Sequence, residues 1–204
     1  MNPKKLLLIF TRNPELGKCK TRLAATVGDA AALAIYKFLL AHTVGITQDL
    51  RLTKAVYYSD AIWENDLWDE KKFEKKLQHG NDLGERMAHA FKEGFDSGFD
   101  QILIIGSDMY DLCTSDIEEA FLRLNHSDYV LGPAQDGGYY LLGMKTYNSR
   151  LFQHKKWGTE TVLTDTMKDL ENQNVSLLPQ KNDIDVYDDI KDIPDFKPFL
   201  KNKT

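Results

Sequence analysis

Cysteine is nearly absent from this chain. Two residues, Cys19 and Cys113, in a length of 204 are too few for a disulfide framework, and neither stands with histidines at zinc-ligand spacing. Both are expected as free thiols in a reducing compartment. Positive charge is also short: 26 Lys and Arg against 31 Asp and Glu give a formal net charge of −5. That balance disfavours a protein that grips a phosphate backbone, so nucleic acid is not an expected partner. Long apolar runs are missing too. The run Leu6 to Phe10 is too short for a signal segment or a bilayer span, and nothing else in the sequence suggests one. The expectation is a soluble, cytoplasmic protein with no membrane partner. Repeats, low-complexity tracts and Pro/Ser-rich linkers are lacking, and the only charge run is the Asp-rich stretch from Asp183 to Asp195. One domain over residues 1–204 is the economical reading.

What is present alternates between strand and helix patterns. Lys5 to Phe10 and Gln101 to Gly106 are continuous apolar runs, the mark of strands buried on both faces of a parallel sheet. Leu52 to Ser59, Tyr129 to Leu131 and Tyr139 to Leu142 read as further strands. Between them, Asp29 caps a helix whose Leu33, Tyr36, Leu40 and Val44 share a face. Leu83, Met87, Ala90 and Phe91 form a second stripe, and Thr161 to Leu170 is amphipathic. Ser115 and Glu118 have the spacing of a capping box at the start of another helix. This alternation implies a mainly parallel sheet between two helical layers, an α/β/α fold.

Ligands of such sheets bind at the carboxyl ends of the strands, which draws attention to three loops. The first, Arg12 to Leu23, holds Arg12, Lys18, Lys20 and Arg22 with Gly17 and opens a helix. Cations and free N–H groups at a helix start suit phosphate, although the same residues would also serve as a solvated loop. The second, Gly106-Ser-Asp108-Met-Tyr-Asp111, places a carboxylate where a hard cation could bridge it to phosphate oxygens; a turn-capping role for Asp108 is the alternative. The third, Gly132-Pro-Ala-Gln-Asp136-Gly137-Gly138-Tyr139, carries the Asp-Gly signal of a hairpin turn, with room for a substrate contact. Weaker signals are Gly80 to Arg86, a turn entering a helix, and Asp183-Ile-Asp185, which alternates as a short strand end does. The five histidines, His42, His79, His89, His126 and His154, fall outside all of these segments.

In this order the segments resemble a bacterial family of GT-A (type-A glycosyltransferase) superfamily transferases, also described as radical-SAM/selenoprotein-associated transferases. The resemblance is carried by Phe10-x-Arg12-x-Pro14-x-x-Gly17-x-x-Lys20-Thr-Arg22-Leu, Gly80-x-x-Leu-Gly-Glu-Arg86-Met, Gly106-Ser-Asp108, Gly132-Pro-Ala-x-Asp136-Gly-Gly-Tyr-Tyr-Leu and Asp183-Ile-Asp185. Tyr110 stands where the family has proline, and Val186-Tyr187 where it has Thr-Pro. Both departures alter loop shape rather than carboxylates.

The resemblance implies the nucleotide-diphosphosugar transferase fold, shared with 2-phospholactate guanylyltransferases, which carry a similar Lys-Thr-Arg-Leu stretch. It implies that Lys20 and Arg22 hold a triphosphate, and that Asp108 and Asp185 hold Mg²⁺ or Mn²⁺. Arg12, Gly17, Gly80 and Arg86 would complete the nucleotide site, with Gly80 near the base, and Asp136 to Tyr139 would meet the acceptor. Lys20, Arg22 and Asp108 are the expected catalytic residues. The expected activity is nucleotidyl transfer from a nucleoside triphosphate to a small anionic acceptor, which needs positioning and charge neutralisation more than a strong base. Glycosyl transfer from a nucleotide sugar is the alternative, though the strand end reads Asp108-Met-Tyr-Asp111 rather than D-x-D. A non-catalytic nucleotide-binding module is a third reading.

Overall fold

A computed structural model describes residues 3–200. Seven strands, β1 (Lys5–Thr11), β2 (Thr53–Tyr58), β3 (Glu74–Leu77), β4 (Gln101–Gly106), β5 (Tyr129–Pro133), β6 (Tyr139–Met144) and β7 (Val175–Leu177), form one sheet in the order β3-β2-β1-β4-β6-β5-β7. Only β6 runs against the others, pairing antiparallel with both β4 and β5. Among the described residues six α-helices accompany the sheet: α1 (Thr21–Val27), α2 (Asp29–Thr47), α3 (Leu83–Asp96), α4 (Thr114–Arg123), α5 (Val162–Asp169) and α6 (Lys197–Leu200). The α/β/α architecture and mainly parallel sheet expected from the sequence are what the chain adopts.

Alternation along β1 explains the three layers. Leu7 and Ile9 pack with Tyr36 and Leu40 of α2 and Ile117 and Phe121 of α4. Leu6 and Leu8 pack on the opposite face with Met87, Ala90 and Phe91 of α3. Leu7, Leu8 and Ile9 are fully buried, each contributing about 1.5–3 kcal/mol of transfer free energy. A third cluster, Leu23, Ile35, Leu39, Ile184, Ile190 and Phe196, ties α1 and α2 to the C-terminal segment. That last cluster has a functional consequence, because it fixes Asp183 and Asp185 close to the ends of β1 and β4.

The structure revises four local readings. Gly28 (φ 86°) rather than Asp29 caps α2, with Asp29 in its first turn and Leu33 only half buried. The helix start at α4 is capped two residues earlier than the Ser115–Glu118 pattern suggests: Asp116 accepts from the Cys113 backbone N–H at 2.9 Å. Asp183 to Val186 is not a strand; it leads from a bridge between Ala134 and Lys181 into a 3₁₀ turn at Tyr187–Asp189. Finally, α2 is by length and composition apolar enough to cross a membrane, contrary to the expectation that no segment approached that length. In this fold its Ile35, Tyr36, Leu39 and Leu40 are buried against the neighbouring layers.

Strand order reverses between β1 and β4: the chain moves from β1 to β2 and β3, then returns to the other side of β1. The carboxyl ends of β1 and β4 therefore meet where an open α/β sheet offers its ligand crevice.

Candidate functional site

Two adjoining cavities occupy that crevice. The larger, about 750 Å³, is polar and lined by Arg12, Lys18, Lys20, Arg22 and Arg86 together with Asn13, Gln78 and Asn81. The smaller, about 220 Å³, is mostly apolar and lies over β4 and β6. Phe10, Leu83 and Asp108 line both, so Asp108 stands at the junction.

The basic loop is held in shape by its own backbone and by α2. Gly17 turns at φ 74°, and Lys20 adopts the left-handed conformation (φ 50°, ψ 48°) at the start of α1. A lysine there carries strain of a kind that clusters at functional sites. The turn directs Lys20 Nζ onto Asp108 Oδ2 at 2.6 Å, with only 7% of the lysine side chain exposed. Burial works against the ammonium, but Asp108, helped by Asp183 and Asp185, more than offsets it and raises the lysine pKa above its ordinary value. Arg22 Nη1 donates to Asp185 Oδ2 at 2.8 Å on the open side of the cavity. The two expected phosphate cations are thus paired with the two expected metal carboxylates. Since α1 has only seven residues, side-chain charge rather than a helix dipole dominates the positive potential.

Tyr36 is the organising residue that the sequence did not single out. The Arg12 backbone N–H donates to its hydroxyl at 2.9 Å, and that hydroxyl also lies 3.3 Å from Ser107 Oγ. Ser107 Oγ in turn donates to Thr11 Oγ1 at 3.1 Å. One α2 phenol therefore couples the ends of β1 and β4 and sets where Arg12 and Asp108 leave the sheet. In the sequence Tyr36 reads only as part of an apolar stripe. Asn13 does the same on the other side: its Nδ2 donates to the Ala61 carbonyl at 2.7 Å and its Oδ1 accepts from Asp60 N–H at 3.1 Å.

Arg86 borders the larger cavity, yet its Nε donates to the Gly80 carbonyl at 3.1 Å. Gly80 (φ 139°) is packed so closely that a Cβ would fall 2.6 Å from Glu85 Cβ. Gly17 and Gly80 turn the backbone beside the cavity, while Asn81 and Asp82 reach its wall. Asp82 caps α3 by accepting from Glu85 N–H at 2.8 Å.

On the other side, Asp136 and Gly138 line the smaller cavity with Tyr139, and Gly137 (φ 87°) makes the hairpin turn behind them. Asp136 Oδ1 accepts from Gly138 N–H at 2.8 Å. Tyr139 turns its hydroxyl into the interior, where burial above all holds the phenol protonated. Asp183 joins this wall. Burial first, then the charges of Asp136 and Asp108, push its carboxyl pKa up, with Lys20 opposing. Asp183 was visible in the sequence as part of an acidic pair, but nothing there distinguished it from Asp185. Asp189 holds the backbone at Asp185 by accepting from Asp185 N–H at 2.8 Å and Val186 N–H at 2.7 Å.

No group of three His, Cys, Asp or Glu side chains converges in metal-ligand geometry among the described residues. Asp108, Asp183 and Asp185 are nevertheless hard oxygen donors, and the crowding at Asp183 is what a divalent cation relieves. Magnesium takes one or two protein carboxylates and completes its shell with phosphate and water, so the donor set fits. Both cysteines are free, Cys19 buried and Cys113 exposed.

Residues 42–159 match the bacterial family described as uncharacterized protein conserved in bacteria, DUF2064. The chain belongs to this family. A crystal structure from Desulfovibrio desulfuricans G20, described as a nucleotide-diphospho-sugar transferase, is 32% identical, with a TM-score of 0.82 over 91% of this chain and 84% of that one. More distant likenesses share the fold alone. A cytidylyltransferase from Leptospira borgpetersenii is 12% identical, with a TM-score of 0.54 over 90% of this chain and 79% of its own. A manganese complex of Rv0371C from Mycobacterium tuberculosis is 10% identical, with a TM-score of 0.58 over 98% of this chain and 99% of its own. No curated protein matches the chain. The fold is that of the GT-A-like nucleotide-diphosphosugar transferases, as the sequence resemblance implied.

Proposed function

We propose that this protein is a metal-dependent transferase that binds a nucleoside triphosphate in the larger cavity and passes its nucleotidyl group to a small acceptor in the smaller one. The observation that carries this reading is the pairing of Lys20 with Asp108 and of Arg22 with Asp185 inside one crevice. Cations and carboxylates held together before substrate arrives are pre-organised for a metal–triphosphate, which brings both charges those groups need. Asp108 and Asp185 would hold Mg²⁺ or Mn²⁺, with Asp183 beside them. Bound there, such an ion supplies charge neutralisation at the phosphates.

The chain's own residues do the rest. Lys20 and Arg22 orient phosphate oxygens, Arg12 adds charge at the end of β1, and Tyr36 keeps these groups in register. Arg86 and Gly80 shape the wall on which a base would rest. Asp136, Gly138 and Tyr139 face the acceptor. Alignment of the acceptor with the phosphate, rather than a dedicated base, is the main device. A coupled pyrophosphate assay across the four common triphosphates, with magnesium present and a panel of small acceptors, tests the proposal; release of pyrophosphate is expected.

Glycosyl transfer from a nucleotide sugar is the second reading, favoured by the description of the Desulfovibrio desulfuricans relative. It would release a nucleoside diphosphate in place of pyrophosphate, so one set of incubations separates the two.

A further inference from the structure

The smaller cavity differs from its neighbour in charge as well as size. Its floor and walls include Met87, Ile104, Tyr139, Trp157 and Val162, and its polar edge includes Asp108, Asp136, Thr159 and Asp183. No Lys, Arg or His lines it among the described residues. Lys20 lies on the larger cavity and is engaged by Asp108.

The indole of Trp157 is seated by a missing side chain. A Cβ on Gly84 of α3 would collide with the Trp157 ring nitrogen and come within 2.6 Å of the Phe152 carbonyl. The segment after β6 therefore closes directly over α3 and brings an aromatic surface to the cavity. Tyr139 presents its ring there, since its hydroxyl is turned inward. An apolar cavity of about 150 Å³ accommodates a benzene, so about 220 Å³ accommodates a ring with a short substituent.

We propose that the acceptor is an uncharged or cationic small molecule with an apolar, ring-sized body, bearing the hydroxyl that receives the transferred group. This rests on the transferase reading above and replaces the anionic acceptor expected from the sequence. Even with Asp108 and Asp183 committed to a divalent cation, Asp136 remains at the edge of an apolar pocket that no Lys, Arg or His lines among the described residues, an arrangement that selects against an anionic acceptor. In the transfer, the acceptor oxygen forms its bond to the α-phosphorus as the bond to the bridging oxygen breaks. Pyrophosphate leaves with that electron pair, and the hydroxyl proton passes to water.

Three probes of one skeleton test the charge preference: tyramine (cationic), tyrosol (neutral) and 4-hydroxyphenylacetate (anionic). Binding to the full chain is measured by calorimetry and by ligand-observed NMR, with ethanolamine as the cation lacking a ring. Tyramine and tyrosol should bind at least about tenfold more tightly than 4-hydroxyphenylacetate, and ethanolamine should bind more weakly than tyramine. Thr159, an exposed residue at the cavity edge, gives a blocking variant that leaves the core untouched; Thr159→Trp should weaken tyramine and tyrosol binding. Equal or tighter binding of 4-hydroxyphenylacetate overturns the proposal. So does the absence of binding by every probe, or affinities unchanged in Thr159→Trp. Magnesium-dependent triphosphate binding, measured on the same wild-type sample, reads the underlying transferase proposal separately.

Discussion

Lys20 Nζ and Asp108 Oδ2 lie 2.6 Å apart although 88 positions separate them in the chain. The pair joins the loop after β1 to the end of β4, the two strands between which the sheet changes direction. It is asymmetric: 7% of the lysine side chain is exposed against 39% of the aspartate. Removing the carboxylate strands a buried charge, whereas removing the lysine leaves an acid with access to water. Asp108→Asn should therefore cost about 1–2 kcal/mol of folding stability, below the full cost of breaking a deeply buried pair. Lys20→Met should cost less than Asp108→Asn. Urea denaturation of both variants checks the order, and a larger loss in Lys20→Met would contradict it.

Arg22 gives the opposite balance of folding and binding. Its side chain is 73% exposed, so its ion pair with Asp185 adds little to folding. Arg22→Ala should leave the melting temperature nearly unchanged yet lower triphosphate affinity by about 1.5–3 kcal/mol. Arg22→Lys should recover only part of this, because a point charge replaces a planar fork. Calorimetric titration beside a thermal melt separates the two effects.

Asp183 should show a conflict between stability and function. Its carboxylate is crowded by Asp136 and Asp108, so neutralising it removes repulsion. In chelator-treated protein, Asp183→Asn should melt at a higher temperature than the parent. The same variant should gain less stability from added Mg²⁺ or Mn²⁺. A lower melting temperature without metal would show that Asp183 is a structural rather than a ligand-facing acid.

Gly84→Ala inverts an ordinary rule. Alanine in a helix interior is usually worth about 0.5–1 kcal/mol over glycine. Here the added methyl meets Trp157 and the Phe152 carbonyl, and overpacking of this kind costs about 1–3 kcal/mol. The variant should be destabilised, with an altered Trp157 fluorescence spectrum. A stabilised variant would mean that the Trp157 segment yields freely.

The legible parts of this fold are those that local pattern determines. β1 and β4 are continuous apolar runs, and the Asp136-Gly137 turn joins β5 to β6 as its residues suggest. β3 escaped notice because Glu74-Lys-Lys-Leu77 is a polar sequence at a sheet edge, whose strand character comes only from pairing with β2. The start of α1 was legible at the end of the basic loop, but its separation from α2 at Gly28 was not. For the site, the basic loop and Asp108 were readable as strand-end groups. The roles of Tyr36 and Asp183 were not, since each depends on contacts with elements distant in the chain. The absence of Lys, Arg and His from the lining of the smaller cavity, among the described residues, was likewise not legible in the sequence.

We propose that Asp108 sits at a metal–triphosphate site. Calorimetric titration of the wild-type chain and of Asp108→Asn with each of the four common nucleoside triphosphates, with saturating magnesium and then with chelator, tests it directly. At least one triphosphate should bind the wild type in a magnesium-dependent manner, and Asp108→Asn should lose most of that affinity. Unchanged affinity in Asp108→Asn, or no triphosphate binding to the wild type with magnesium present, would contradict the account.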